Sequence, residues 1–520
     1  MKNHKDFPIK VASIDIGTNA IRFIACEFIS KNIYHILESQ RVTVRLGHNA
    51  FSSGQLDNTA QTSAIAGLLN FKNSMKRLNV TNYKAVATSA VRESANGKSF
   101  VNRVKRETGI DIEIITGSEE VRLVYLAVKQ KIPLGTRKWL IVNLGGGSVE
   151  VCLADNSGII WNQTHTIGTV RLYEELTDNG KEPLEFKKLI SEYISTIQLP
   201  KIKKMENIGF IATGGNIEEL AKIAKTPTNK SGISILHKGA LHSIGLSLSK
   251  LTYEERIKKL NLRKDRADVI LPAALVYEKF ANLAEASKII VPYTGTREGI
   301  LFDIVNNITS PQEHLLEKEK QISSIALEIG RHYQFDEPHG MHVAKLGLSI
   351  FDQIKNIIEH HPNDRNILLA ASMLHDIGTF ISYKGHHKHS LYLISQSEIP
   401  GLNGHEIILA ANIARYHRKI GPSIKHESFA RLTLPEQKQV TRLSAILRIA
   451  DALDREHIQN VKEIFVSVEK PNLLLTLKAN SGTYTEEWAV KKKGELFEKN
   501  MGLKIIIKKI LSMKGADAKS

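Results

Sequence analysis

The sequence predicts an α/β protein: two duplicated lobes, then an all-α domain and a small α+β tail. Three observations predict it. A glycine turn between apolar strands occurs twice. Strand-like and helix-like segments alternate through the amino-terminal part. A run of helical segments holding most of the informative histidines follows, and it closes on short strand patterns.

The duplication comes first. "IDIGTNAIRFIA" (Ile14 to Ala25) aligns with "VNLGGGSVEVCL" (Val142 to Leu153). Asp15 falls over Asn143, Gly17 over Gly145, Asn19 over Gly147 and Arg22 over Glu150. "KAVATSAVRE" (Lys84 to Glu93) then falls over "GFIATGGNIE" (Gly209 to Glu218), in the same order. Between the motifs, "YHILESQRVTVRL" reads as strand and "TAQTSAIAGLLNFKNSMKRL" as helix. "IDIEIIT" reads as strand and "SEEVRLVYLAVKQ" as helix. Glycine tolerates positive φ and lets backbone N–H groups approach a ligand closely. Successive N–H groups in such turns form an anion-binding concavity. Thr18, Asn19 and Ser148 add side-chain donors, so two turns from two lobes would clamp one phosphoryl group.

A chain of 520 residues is too long for one core. The expected divisions are 1–125 and 126–308 for the lobes, 309–460 for the helical domain and 461–520 for the tail. "TSPQEH" carries a break at the boundary, and the amphipathic "EHLLEKEKQISSIALEIGRHYQF" follows it. The last residues, "SMKGADAKS", read as an unstructured end. No apolar run reaches the length of about 18 residues that spans a membrane. The opening "MKNHKDFPIK" lacks an apolar signal region, so a cytoplasmic protein is expected. Cys26 and Cys152, both in apparent strands, read as buried thiols. A net charge of +17 favours polyanionic partners. Aromatic content of 6% and the lack of zinc-finger or RRM spacing disfavour nucleic acid.

The motifs "IDIGTNAIRF", "ATSAVRESANG", "IITGSEEVRLVY", "NLGGGSVE", "IGTVRLYEEL", "ATGGNIEEL" and "YTGTREGIL" resemble, in family order, the exopolyphosphatase / guanosine pentaphosphate phosphohydrolase (Ppx/GppA) family. The resemblance implies two lobes of the sugar kinase, Hsp70 and actin fold group. It also implies roles. Gly17, Thr18, Asn19, Arg22, Gly145, Gly146, Gly147 and Ser148 would bind phosphate, and Arg92 would hold a phosphate oxygen. Glu120 would be the catalytic glutamate that orients or deprotonates the attacking water. Glu150, with Asp15 and Asn143, would hold Mg²⁺. The chemistry agrees: phosphoryl transfer needs charge neutralisation and positioning more than covalent catalysis. This sequence departs from the family at Asn143, where the pattern has Asp. Asn keeps the shape but loses the charge, which predicts weaker binding of a hard cation. Taken alone, Glu120 would be an exposed residue at a helix start, where Glu is favoured anyway.

The carboxyl-terminal half carries "EPHGMHVAKLGLSIFD", "ILLAASMLHDIG" and "LRIADALDRE". The order His, His-Asp, Asp resembles the ligand pattern of the HD metal-dependent phosphohydrolase superfamily. It implies His339, His375, Asp376 and Asp451 as ligands of a divalent metal, with His342 a rival for the first position. "KGHHKHS" and "ARYHRK" surround them; His386, His387, Arg415, His417 and Arg418 read as polyanion contacts. The expected function is a Mg²⁺-dependent exopolyphosphatase, with polyphosphate held along a basic groove. Hydrolysis of guanosine pentaphosphate to the tetraphosphate is the first alternative. Others are a nucleotide phosphohydrolase centred on the HD motif and a binding regulator with a weakened cleft. The resemblance also implies that a homodimer is one assembly open to the chain, and the sequence leaves the oligomeric state undecided.

Overall fold

The computed structural model describes residues 7–48, 50–177, 181–199 and 208–511. The terminal "SMKGADAKS" lies outside them. The chain divides into two compact units, Met1–Lys318 and Glu319–Ser520.

Two sheets form the first unit. The strands of one are β1 (Ile9–Ile16), β2 (Ala20–Phe28), β3 (Tyr34–Thr43), β4 (Asn82–Ala87) and β5 (Ile112–Ile114), in the order β3-β2-β1-β4-β5. The other has β6 (Trp139–Leu144), β7 (Val149–Asp155), β8 (Gly158–His165), β9 (Gly209–Thr213), β10 (Ser234–His237) and β11 (Lys288–Val291), ordered β10-β11-β9-β6-β7-β8. Each opens with an antiparallel meander and continues by parallel pairing: β1 lies parallel to β4, and β6 to β9. The duplication is therefore in the topology as well as in the sequence. It reaches the register. Asp15 stands opposite Arg22, and Asn143 stands opposite Glu150.

Apolar continuity explains the central strands. All six residues of β6 are buried, as expected of a strand covered on both faces. The helix Asn58–Arg77 starts where Asp57 accepts from the amides of Thr59 and Ala60, and it buries Leu68, Phe71 and Met75. The helix Gly117–Lys131 is capped by Thr116, whose hydroxyl accepts from Glu119 N at 3.1 Å. That helix is buried from Gly117 to Val128, so Glu119 and Glu120 are interior residues. Cys26 and Cys152 are buried free thiols.

The second unit is helical up to Ala452. A tail follows: β12 (Val461–Glu469), β13 (Asn472–Ala479), two helices (Tyr484–Lys493 and Glu495–Met501) and β14 (Lys504–Leu511). β12 pairs antiparallel with β13, and β13 parallel with β14. Buried residues of these strands, Leu473, Leu475 and Leu477, join the core of the helices Glu337–Ile354 and Leu434–Ala452. Among the described residues, no helix is long and apolar enough to cross a membrane.

Candidate active site

The two glycine turns meet in a cleft of about 490 Å³ within the first unit. Asp15, Gly17, Thr18, Asn19, Arg22, Glu120, Asn143, Gly145, Gly146 and Ser148 line it. Gly147, Glu150 and Arg92 stand behind this lining. Glu150 accepts from Ser148 Oγ and, at 3.0 Å, from Asn143 Nδ2. Arg92 donates to the Ile115 carbonyl at 2.9 Å, and its charge acts on Glu120.

Positive φ, one of the two properties expected of these glycines, is not used. None of Gly17, Gly145, Gly146 and Gly147 has positive φ. They are small because the turns are packed. A Cβ on Gly146 would lie 2.8 Å from Thr18 Cβ, and one on Gly147 would lie 2.4 Å from Ser89 Oγ. One on Gly168 would lie 2.3 Å from backbone atoms of Gly146 and Gly147. The start of the helix Thr169–Leu176 takes the turn's carbonyls: Thr169 N donates to Gly145 O and Val170 N to Gly146 O. Arg171 Nε donates to Gly147 O at 2.9 Å. Within the first repeat, the Thr18 hydroxyl lies 3.0 Å from that of Ser89.

Glu120 is 7% exposed and sits in a nest of acids. Burial pushes its carboxyl well above the ordinary range. The Glu150 and Asp15 charges push the same way, against Arg92 and the Asn143 amide. Its Oε1 accepts from Asn143 Nδ2 at 3.3 Å, and its Oε2 is buried without a hydrogen-bond partner. Burial also raises the Asp15 carboxyl, against Arg22 and Arg297.

Asn143 does not face the acids with its carbonyl, as a metal ligand would. Thr213 Oγ1 donates to Asn143 Oδ1 at 3.1 Å, which turns the amide nitrogen toward Glu120 and Glu150. Its two N–H groups bridge two carboxylates, so Asn143 does as a donor what a cation would do as a charge.

Cations surround the acids. Arg41, Arg263, Arg266, Arg297 and Lys222 join Arg22 on the cleft wall, with Glu218, Glu219 and Glu298 among them. Asn19 donates to the Asp265 carbonyl at 2.9 Å, and Asp265 pairs with Arg41. Arg266 donates to Asn216 Oδ1. Burial, with Arg22 and Arg41 nearby, lowers the Arg266 guanidinium to about 10. A buried arginine crowded by arginines invites an anion. Arg41, Arg263 and Arg266 were not singled out by the sequence reading. They lie outside the repeated motifs and reach the cleft only through the tertiary fold. Arg297 and Glu298 lie inside "YTGTREGIL", a motif that carried their signal without a role.

A second constellation lies in the other unit. His339 Nε2 is 3.7 Å from Asp451 Oδ1, and His375 Nε2 is 3.8 Å from Asp376 Oδ2 and 4.0 Å from Asp451 Oδ1. His339 Nδ1 lies 2.8 Å from Asp454 Oδ2, and the His457 ring stacks on His339 with centroids 3.6 Å apart. Lys493 pairs with Asp451. His342 stays out of the cluster, near the Val461 backbone. His386 and His417, expected among the polyanion contacts, are each 2% exposed and face Asp376. Helix ends turn them inward: His386 opens the helix His386–Ser395, and His417 follows Gly404–Arg415. His387, Arg415 and Arg418 are half-buried around them. Asp454, His457 and Lys493 were missed as site residues; Asp454 alone carried a signal, in "DALDRE".

Paired glycine turns, a ring of arginines and a buried carboxyl define a protein that handles phosphate groups. A model of the Ppx/GppA phosphatase family matches residues 28–308, and one of Ppx/GppA phosphatase, domain III, matches residues 323–498. The chain belongs to the Ppx/GppA phosphatase family, hydrolases of phosphoric anhydrides. It is 23% identical over 486 residues to a guanosine-5'-triphosphate,3'-diphosphate pyrophosphatase of Photobacterium profundum, covering 90% of this chain and 91% of that one. The protein of the same name from Vibrio vulnificus is also 23% identical, over 90% of this chain and 92% of the other. The crystal structure of an exopolyphosphatase from Cytophaga hutchinsonii shares the fold, with a TM-score of 0.53 and 24% identity over 58% of this chain and 100% of that one.

Proposed function

We propose that this protein removes the terminal phosphate of inorganic polyphosphate, with Glu120 as the residue that orients and deprotonates the attacking water. One observation carries the reading. A buried carboxyl, raised above its ordinary range and with one oxygen unpaired, faces a cleft lined by glycine turns and arginines. A base raised toward neutral pH suits proton removal from water. Arg22, Arg266 and Arg297 would hold the phosphate oxygens, and the amides of the two turns, with Thr18 and Ser148, would add donors. Arg92 would tune Glu120 by its charge.

The donor set fits Mg²⁺. Asp15, Glu120 and Glu150 offer carboxylate oxygens, but among the described residues they do not converge within the 4.8 Å of a tight protein cage. Mg²⁺ is commonly held by one or two carboxylates, with retained waters and substrate oxygens. Bound there, it would neutralise charge on the transferred phosphoryl group. Asn143 would position Glu120 and Glu150 and not ligate the ion.

Tyr293 is the only aromatic residue lining the cleft among the described residues, so little there would stack a base. That favours polyphosphate. A second reading, guanosine pentaphosphate as substrate, draws on the relatives of that name that match 90% of the chain. Phosphate release from long-chain polyphosphate in Mg²⁺, with the nucleotide as competitor, tests both. Release that Glu120→Gln abolishes supports the cleft. Release from the nucleotide alone would reject polyphosphate.

The second unit is read as an HD-type domain whose His339, His375, Asp376 and Asp451 bind a divalent metal. The buried, unpartnered Nε2 atoms of His339 and His375 support that reading. Metal analysis of His375→Ala against the parent chain tests it.

A further inference from the structure

We infer that two exposed loops of the second unit form a docking surface for an anionic lipid bilayer. One loop, residues 380–384, precedes the helix His386–Ser395, and the other, residues 418–425, follows the helix Gly404–Arg415.

Apolar tips and cations occur together in both. Ile420 is 73% exposed, Ile424 74% and Tyr383 73%, and Phe380 and Ile381 are exposed beside Tyr383. Scattered singly, such residues would need no explanation, but here they share two adjoining loops. The loops meet where the Arg418 guanidinium lies 5.9 Å from the centre of the Tyr383 ring, and Arg418 Nη1 lies 3.1 Å from His386 Nε2. The cations are Lys384, Lys388, Arg415, Arg418, Lys419 and Lys425. Among the described residues, none of the six pairs with a carboxylate. The acids nearby are engaged elsewhere: Asp376 faces His386 and His417, and Glu427 pairs with Arg431. Burial, with the charges of His386, Lys419, Arg418 and Arg415, lowers the His387 ring to about 4, so the two segments crowd positive charge into one place.

The bases of these loops are fixed. Lys419 takes a left-handed φ of 57°, and its carbonyl accepts from Nη1 and Nη2 of the buried Arg448 at 3.3 Å. The Tyr416 hydroxyl lies 3.0 Å from His426 Nδ1 and ties the two ends of the second loop together. Gly385, with φ at 82°, turns the first loop into its helix. Tips presented on fixed bases cost little ordering when they dock.

The mixture of side chains selects the partner. A soluble polyanion rewards the cations and, if it carries bases, can stack on Tyr383. It offers nothing to Ile420 and Ile424. Anionic headgroups above an acyl boundary reward the cations and the isoleucines alike. The net charge of +17 draws the whole chain to such a surface. The contact is with the surface alone, since among the described residues no helix is long and apolar enough to cross a bilayer.

The test is sedimentation of the full chain with vesicles of phosphatidylcholine and phosphatidylglycerol, and with vesicles of phosphatidylcholine alone. Binding to the mixed vesicles only, weakened by salt, is the expected result. Ile420→Ser with Ile424→Ser should lower the partition coefficient by about tenfold or more. Lys384→Gln, Lys388→Gln, Lys419→Gln and Lys425→Gln together should lower it by about fivefold for each lysine. Both variants change exposed side chains and are compared at urea midpoints equal to the parent's. A polarity-sensitive dye on Ile424→Cys, selective because Cys26 and Cys152 are buried, should shift to shorter emission wavelength on the mixed vesicles. Sedimentation that the isoleucine changes leave untouched would overturn the lipid reading and assign the patch to a soluble polyanion. Equal binding to both vesicle types, or binding to neither, would overturn it as well.

Discussion

Asn143→Asp removes two buried hydrogen bonds and adds a third acid to a pair. The amide nitrogen now donates to Glu150 Oε2 at 3.0 Å and Glu120 Oε1 at 3.3 Å. Hydrogen bonds to charged groups contribute about 1.5–3 kcal/mol each, and two like charges about 4 Å apart cost about 4 kcal/mol at an effective dielectric constant near 20. Glu120 is already pushed toward its protonated form, which spares part of the repulsion. The lost hydrogen bonds alone come to about 3–6 kcal/mol in the absence of divalent cation, and the repulsion that remains adds to them, a fall in Tm on the order of 10 °C. A cation reverses the sign, since a further carboxylate beside Asp15, Glu120 and Glu150 strengthens the hold on Mg²⁺. Urea unfolding in EDTA and in Mg²⁺, together with phosphate release across a Mg²⁺ titration, gives both halves. Asn143→Asp should be less stable in EDTA, recover in Mg²⁺ and reach half-maximal rate at lower Mg²⁺. Equal stability in EDTA with an unchanged Mg²⁺ midpoint would refute the bridging role of the amide.

Other outcomes follow from the same geometry. Glu120→Gln should lower phosphate release by about 10²–10⁴-fold, the usual contribution of a positioned base. Its folded carboxyl is raised above the ordinary 4.5, so its stabilising share is full below that value and is lost as pH rises through the folded value. The glutamine variant escapes that loss, so urea midpoints should shift in its favour from acid to neutral pH. Arg122 donates to Glu119 at 2.8 and 2.7 Å and to Asp303 at 2.7 Å, all buried. Arg122→Met takes the closest cation from both acids, leaving Asp303 to Lys84 and His314, and should cost about 3–5 kcal/mol in denaturant unfolding. Gly168→Ala presses a methyl on the backbone of Gly146 and Gly147. It should cost about 1–3 kcal/mol by overpacking and lower kcat/KM for phosphate release, whereas a stable, fully active variant would contradict the packing account.

Much of the fold was legible because it is local. The strand–turn–strand repeats announced a duplicated topology, and the structure adds the register that sets Asp15 against Arg22 and Asn143 against Glu150. The helix Asn58–Arg77 shows in the apolar period that follows a capping Asp57. The glycine turns were legible as special places but not for their reason. Their need for small residues comes from Thr18, Ser89 and Gly168, which the fold brings from elsewhere. The cleft arginines were less legible still. Arg266 reaches Asn216 and Arg41 reaches Asp265 across long stretches of chain, and no local pattern marks such a meeting.

By itself, the sequence determined which chemistry the chain can attempt. Paired glycine turns, an acid at a helix start and ordered His and Asp residues are written in residue types and spacings, because capping, periodicity and donor character belong to single residues and near neighbours. Only the tertiary structure decided directions. Thr213 turns the Asn143 amide toward the acids, and backbone carbonyls fix which nitrogen of His375, His386 and His417 bears hydrogen. The fold also sets the two oxygens of Asp376 toward different histidines. A hydrogen bond has a sense, and that sense is set by partners that meet only when distant segments pack.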